Sequence, residues 1–222
     1  ATAVSSVLAA IDRHQDAISQ GIRYRHRCSR CEATSGFVRH EMRRRHVRVI
    51  VELTVQVLWI VILRWRCSRC RCVFTDLPDF LLPYRRYAST SLLPLAREYL
   101  EQDRHSYQQV VAPQGCVIGY LTPPRHEKID ERALHRSTLW RFMSFVGAQT
   151  AALQRGLELW SEYEPLSTLH RFLGGVAPHK YRSQPREEIL RTARRLLHLI
   201  DHWDRTFIEP FFPRFATSTR AP

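Results

Sequence analysis

The chain has 222 residues, a mass of 26.1 kDa and a formal net charge of +13. Its apolar fraction of 44% is ordinary for a globular protein, so the length allows one large domain or two to three small ones. The apolar stretch 47–63 carries Arg48, Glu52 and Gln56; its unbroken part, Val57–Leu63, is far short of the roughly 20 residues a membrane-spanning helix needs, which excludes one there.

Residues 1–20 place Val4, Val7, Leu8, Ile11, Ala17 and Ile18 at helical spacing and predict a short amphipathic helix. They lack a basic start followed by an apolar run, so no signal peptide is expected. Residues 21–75 carry two Cys-x2-Cys pairs and a strand pattern. Val47, Val49, Val51, Leu53, Val55 and Val57 alternate with Arg48, Glu52, Thr54 and Gln56, the period of a half-buried strand. Trp59–Leu63 is then continuously apolar, which predicts a hairpin with its turn within Glu52–Gln56.

Residues 76–90 form a linker punctuated by Pro78 and Pro83, whose apolar residues are expected to pack across the next module. Ser91–Gln102 reads as a helix, and Ser106–Ala112 as a second, short one capped by Ser106. Pro113–Leu134, with Gly115, Gly119, Pro123 and Pro124, reads as an irregular insertion, and no sheet is expected after Pro83. Ser137 is expected to cap a helix through Leu139, Trp140, Phe142 and Phe145 that continues toward Trp160. Pro185, Glu187 and Glu188 open a C-terminal helix, where the helix dipole favours acids. The chain reads as free of internal repeats. The pattern predicts an α+β class: a zinc-ribbon hairpin, then a mainly helical region over 91–150 and a C-terminal helical interaction region over 151–222.

Cys28 and Cys31 are separated from Cys67 and Cys70 by thirty-five residues. A two-residue gap lets both thiolates of a pair reach one ion from a tight turn. Two such knuckles supply a tetrahedron of sulfurs, which suits a structural zinc ion and leaves no open coordination position. So small a sheet buries little area, and metal binding is expected to contribute heavily to its folding. In a reducing, cytoplasmic setting, clustered cysteines read as ligands rather than disulfides. A redox pair would need a thioredoxin-like context that the chain lacks; an iron–sulfur cluster on four thiolates is the other alternative. Cys72 reads as a packing cysteine, with the alternative that it replaces Cys70.

The positive charge is almost all arginine, since Lys128 and Lys180 are the only lysines. Between Gly21 and Cys72 stand thirteen arginines against three glutamates, which is +10 of the chain's +13. The arginine fork suits phosphate oxygens and guanine edges, although high genomic G+C content gives the same bias. Arg43, Arg44, Arg45, Arg66 and Arg69 are the candidate nucleic-acid contacts of this segment.

The pattern Cys28-x2-Cys31, then Arg64-Trp65-Arg66-Cys67-Ser68-Arg69-Cys70 and Phe74-Thr75, resembles the amino-terminal ribbon of bacterial insertion-sequence transposases and their associated regulators. In that family the ribbon precedes a helix-turn-helix. Ser106–Val111 resembles its first helix, and Ser137–Phe142 the start of its recognition helix. The stretch Leu77–Tyr87, with its Pro-x4-Pro-Tyr-Arg-Arg-Tyr sequence, is similar to uncharacterised zinc-ribbon proteins carried by mobile elements. The resemblance covers about residues 25–150 and implies DNA-binding, with Arg136, Ser137, Thr138 and Arg141 at base edges. It also implies a mobile-element role in transposition or DNA recombination, through double-stranded element ends and a transposase or recombinase partner. The C-terminal helices would support a homodimer or docking to that partner, and the setting would be cytoplasmic, nucleoid-associated and free of membrane.

A metal-dependent transposase or nuclease is the first alternative, but its carboxylates should converge from strands of a sheet. Here the acids lie mostly in helical patterns, with His198, Asp201, His202 and Asp204 the one cluster that draws notice. An RNA or single-strand binding module is the second alternative, with Phe37, Trp65 and Phe74 stacking on unpaired bases. No catalytic residues are assigned.

Overall fold

A computed structural model describes residues 2–21, 27–28, 30–51, 54–82, 85–103, 105–111, 115–120, 134–163, 176–207 and 211. The chain divides into two compact units, Ala1–Thr90 with Cys116–Glu131, and Ser91–Gly115 with Arg132–Pro222. A sheet with an amphipathic helix makes the first and helices make the second, the α+β class that the sequence predicts.

In the first unit, β1 (Phe37–Val51) and β2 (Thr54–Cys67) pair antiparallel along their whole length, from Phe37↔Cys67 to Val51↔Thr54. The connection therefore falls on positions 52 and 53, outside the described residues. The expected turn within Glu52–Gln56 is narrowed, because Thr54–Gln56 already belong to β2. The alternating valines come from two strands rather than one: Val47, Val49 and Val51 from β1, Val55 and Val57 from β2. β3 (Val73–Asp76) pairs antiparallel with Leu63–Arg66 of β2, and β4 (Gly115–Tyr120) also pairs with β2. β2 is buried on both faces, at Leu58, Ile60 and Ile62 and at Val55, Val57, Leu63 and Trp65, which explains its unbroken apolar run. β4 corrects the expectation that no sheet follows Pro83 and that 113–134 is irregular throughout; positions 121–133 lie outside the described residues.

The helix α1 (Thr2–Ser19) lays Val7 and Ile11 onto Val47, Val49, Leu58, Ile60 and Ile62, and Phe80, Leu81 and Ala88 close the same cluster. Phe80 and Leu81 of the linker pack on the sheet they follow, 5% and 0% exposed within that core. Tyr87 then bridges in parallel to Arg48, with Arg48 N donating to Arg86 O at 2.8 Å and Ala88 N to Arg48 O at 2.9 Å. A smaller cluster of Ile18, Leu63 and Trp65, flanked by Phe37 and Phe74, supports the cysteine end of the sheet.

In the second unit, α2 (Ser89–Glu101, from Ser91 onward) and α3 (Tyr107–Val111) precede β4. α4 (Arg136–Gly147), α5 (Thr150–Tyr163) and α6 (Gln184–Thr206) follow it. The short α3 carries the expected Ser106 cap as a reciprocal box: Gln109 N donates to Ser106 Oγ at 3.3 Å and Ser106 N to Gln109 Oε1 at 2.8 Å. α4 is capped not by Ser137 but by His135, whose ring accepts from Ser137 N at 3.2 Å. It also stops at Gly147 instead of running on toward Trp160. Leu139, Phe142, Met143 and Val146 of α4 are buried, as are Leu190, Ala193, Leu196, Leu197, Ile200 and Trp203 of α6. Lys180 is 4% exposed and donates to Tyr99 O and, at 2.5 Å, to Gln102 O. It satisfies carbonyls at the end of α2, where a helix favours a cation.

Candidate metal centre

Each cysteine pair sits in a tight turn, and the two turns are built alike. In the first, Cys28 N donates to Ala33 O at 2.9 Å and Glu32 N to Cys28 O at 2.9 Å. In the second, Cys67 N donates to Cys72 O at 3.0 Å and Arg71 N to Cys67 O at 2.9 Å. The residue after each second cysteine takes the left-handed conformation, φ 56° at Glu32 and 57° at Arg71. Both turns carry the same tetrapeptide, Cys28-Ser29-Arg30-Cys31 and Cys67-Ser68-Arg69-Cys70. Arg27 and Arg66 precede the two copies, and that identity corrects the expectation of no internal repeat: the unit that recurs is five residues long.

The β1–β2 register brings the turns together. Phe37 pairs with Cys67, and Ser68 N donates to Gly36 O at 2.8 Å. Gly36, at φ 77°, makes the bend from the first turn into β1. The four sulfurs of Cys28, Cys31, Cys67 and Cys70 lie within 4.8 Å of one another, so the cluster could hold a metal ion. The Cys28–Cys70 and Cys31–Cys67 sulfurs are each 3.6 Å apart. A disulfide would need about 2.05 Å. A tetrahedron with metal–sulfur bonds of about 2.3 Å has edges of roughly 3.8 Å. The donor set and its spacing fit one tetrahedral, thiolate-bound ion, with the first cysteine of each turn buried and the second half-buried.

Electrostatics point the same way. Burial pushes the Cys28 thiol up, but the backbone N–H groups of Arg30 and Cys31 and the thiols of Cys70 and Cys31 outweigh it and bring it down to about 7. Cys67 is also lowered, foremost by the backbone N–H of Cys70, with that of Arg69 adding to it against burial. At Cys70 the Cys72 N–H pulls down, yet burial and the thiols of Cys31, Cys28 and Cys67 push it up to about 12. Four crowded thiols cannot all ionise without a cation among them; a bound dication removes that conflict.

Cys72 is not in the cluster. It occupies the place in the second turn that Ala33 holds in the first, and its thiol faces Val73 O at 4.0 Å. Among the described residues the four-cysteine group is the sole cluster of three or more metal-ligating side chains, and His198 and His202 are not in it. Asp201 instead pairs with Arg97, and Asp204 accepts from Phe211 N at 2.9 Å.

The arginines sort into two kinds. Arg43 and Arg64 both pair with Glu41, at 2.7 and 2.8 Å. Arg45 is half-buried and donates to Leu82 O and Arg85 O. It holds the linker against β1. Arg30, Arg39, Arg44, Arg66, Arg69 and Arg71 are exposed and make no ion pair among the described residues. Five of these six, all but Arg44, lie in the turns or in the strand positions next to them; Val38 pairs with Arg66 and Arg39 with Trp65. Exposed large apolar residues, Val38 and Met42 at 50% each, lie among them on β1.

Arg136 and Arg141 are exposed and Ser137 and Thr138 half-buried at the start of α4, where Ser137 Oγ is held by the His135 ring at 2.8 Å. Trp140 lies under Arg186, with the guanidinium carbon 4.6 Å from its ring centre. α3 and α4 do not make a helix-turn-helix of ordinary form. That motif joins its helices by three or four residues, whereas here the connection passes through β4, a strand of the other unit. Trp65 is 5% exposed with its indole N–H donating to Asp76 Oδ2 at 3.1 Å, and Phe37 and Phe74 pack edge-to-face at 5.7 Å. These rings serve the core of the sheet rather than a stacking platform.

Residues 28–110 match a family described as a domain of unknown function (DUF6431). The match opens on the first cysteine of the cluster, takes in both turns, β1–β3 and α2, and closes within α3. No curated protein and no solved structure matches the chain.

Proposed function

We propose that this is a zinc-containing, DNA-binding accessory or regulatory protein of a mobile genetic element. The observation that carries the reading is the set of six exposed arginines without ion-pair partners among the described residues, most of them gathered at the four-cysteine end of the sheet. Zinc is the ion of choice because it takes four thiolates in a tetrahedron without redox chemistry. A closed shell of four sulfurs leaves no position for substrate, so the ion supports the surface rather than acting on what binds it. Arginine is the residue suited to phosphate, and exposed positive charge of this density draws a polyanion.

The mobile-element part rests on the resemblance of the ribbon segment to transposase-associated ribbons. In this reading Arg136 and Arg141 add a second basic contact, and the helical second unit meets a recombinase or a second copy. The protein then works at the nucleoid. The test is a titration of zinc-loaded protein with duplex carrying the element ends, at two salt concentrations. Affinity is expected to fall along a slope of about −0.9 per neutralised phosphate on a log–log plot, hence by several orders of magnitude from roughly 50 to 200 mM if six or more phosphates are met. An isotherm that barely moves with salt defeats the DNA reading. Equal affinity for element ends and unrelated duplex would leave binding but remove the element-specific role.

A further inference from the structure

The two cysteine turns are interchangeable. Exchanging them carries Cys28 onto Cys67 and Cys31 onto Cys70, and thereby turns the Cys28–Cys70 distance of 3.6 Å into the Cys67–Cys31 distance of 3.6 Å. The same exchange carries Arg30 onto Arg69. Each of these arginines is exposed, and each gives its backbone N–H to the first cysteine of its own turn. The backbone of both is therefore pinned to the metal cluster, while the side chain is left without an ion pair among the described residues.

We propose that Arg30 and Arg69 are a matched pair of arms that grip phosphodiester oxygens of the DNA duplex backbone, with their spacing set by the metal centre between them. This rests on the DNA-binding reading above and adds what the surface recognises and with which residues. Arginine suits guanine edges as well as phosphate, so composition excludes adenine readout alone and the build of the surface decides for phosphate. Adenine is read by Asn or Gln, and neither occurs at 27–44 or 64–76. The surface there offers arginine with Thr34, Ser35 and Thr75, the residue types that contact sugar and phosphate. A blunt pair of turns also lacks the helix or two-stranded ribbon that enters a major groove.

The experiment compares the zinc-loaded full chain with R30Q/R69Q, R30K/R69K and R13Q on two duplexes of unrelated sequence and on the matching single strands, across a salt series. Zinc content is measured on every variant. R30Q/R69Q is expected to keep its zinc and to shorten the salt slope by about 1.8, two phosphates at about 0.9 each, equally on both duplexes. R30K/R69K should restore the slope, since the slope counts phosphates neutralised and lysine carries the same charge as arginine. R13Q, changed on exposed α1, should leave it unchanged. An unaltered slope in R30Q/R69Q, a loss confined to one duplex, failure of lysine to rescue, an equal loss in R13Q, or tighter binding to single strands each overturns the proposal. Absence of any duplex binding by the unaltered protein overturns the DNA reading itself, and is told apart by appearing before any substitution is made.

Discussion

Cys72 and Ala33 hold the same place in two turns of the same build, each offering its carbonyl to the N–H of the cysteine five residues earlier. Position in the turn, not the sulfur, decides the role. Cys72→Ser is therefore expected to keep the metal with unchanged stoichiometry. Cys67→Ser removes a buried donor that two backbone N–H groups already favour as thiolate. It should weaken metal binding by more than about 100-fold, beyond the roughly 10–100-fold that loss of an outer-shell partner costs. Metal content after gel filtration, and the charge-transfer absorption of a cobalt-substituted sample, check both. Retention by the Cys67 variant together with loss by the Cys72 variant would reassign the ligands. The ligand set was legible in the sequence because a Cys-x2-Cys turn is a local object whose geometry depends on two intervening residues. The equivalence that dismisses Cys72 was legible too, as the repeated Arg-Cys-Ser-Arg-Cys, but a search for repeats of domain size passes over five residues.

At the scale of elements, the close crossing of α4 and α6 turns on one missing side chain. A Cβ built on Gly147 would lie 2.3 Å from Ile189 O and 2.8 Å from its Cγ2. The first of these is backbone, so the helices themselves must move. Gly147→Ala should destabilise the second unit by roughly 1–3 kcal/mol, the usual cost of overpacking, against the small gain expected when alanine replaces glycine in a helix. A denaturant midpoint that rises would mean that the crossing has slack. Nothing along the chain announces that contact, because Ile189 stands forty-two positions away. Distance in sequence also hid β4, whose partner β2 precedes it by β3, the linker and two helices. Its short apolar run between glycines gives no sign of which edge it joins. Ser137 misled for the opposite reason. It is a good capping residue by type, but His135 two places earlier already supplies the acceptor. Amphipathic α1 and α6 were legible, since burying one stripe of a helix is written in its own period.

Across the molecule, the sequence suggests a ribbon that leans on its metal to fold, and the structure changes that expectation. The β1–β2 hairpin runs well past the cysteine end into a cluster built from α1, both strands and the linker. The cysteine end has only Ile18, Leu63 and Trp65 with their flanking rings beneath it. Metal removal should therefore act locally. Stripping the ion with a chelator under reducing conditions is expected to speed amide exchange at 37–44, 63–67 and 73–76 by at least tenfold, about 1.4 kcal/mol of local stability. Residues 47–51 and their partners 55–58, whose hydrogen bonds lie in the larger cluster, should stay protected, as should α4 and α6, whose buried faces draw on no cysteine. Tryptophan reports the same division: Trp65 should change its emission, while Trp140, Trp160 and Trp203 should not. Because the unpaired arginines gather at the cysteine end, the same treatment should also remove most of the salt-dependent DNA affinity without unfolding the chain. Cooperative loss of protection through the whole hairpin would mean that the ion, and not the packing of α1 on the sheet, holds the first unit together. Loss of protection confined to the cysteine turns with DNA affinity intact would move the binding surface away from the metal.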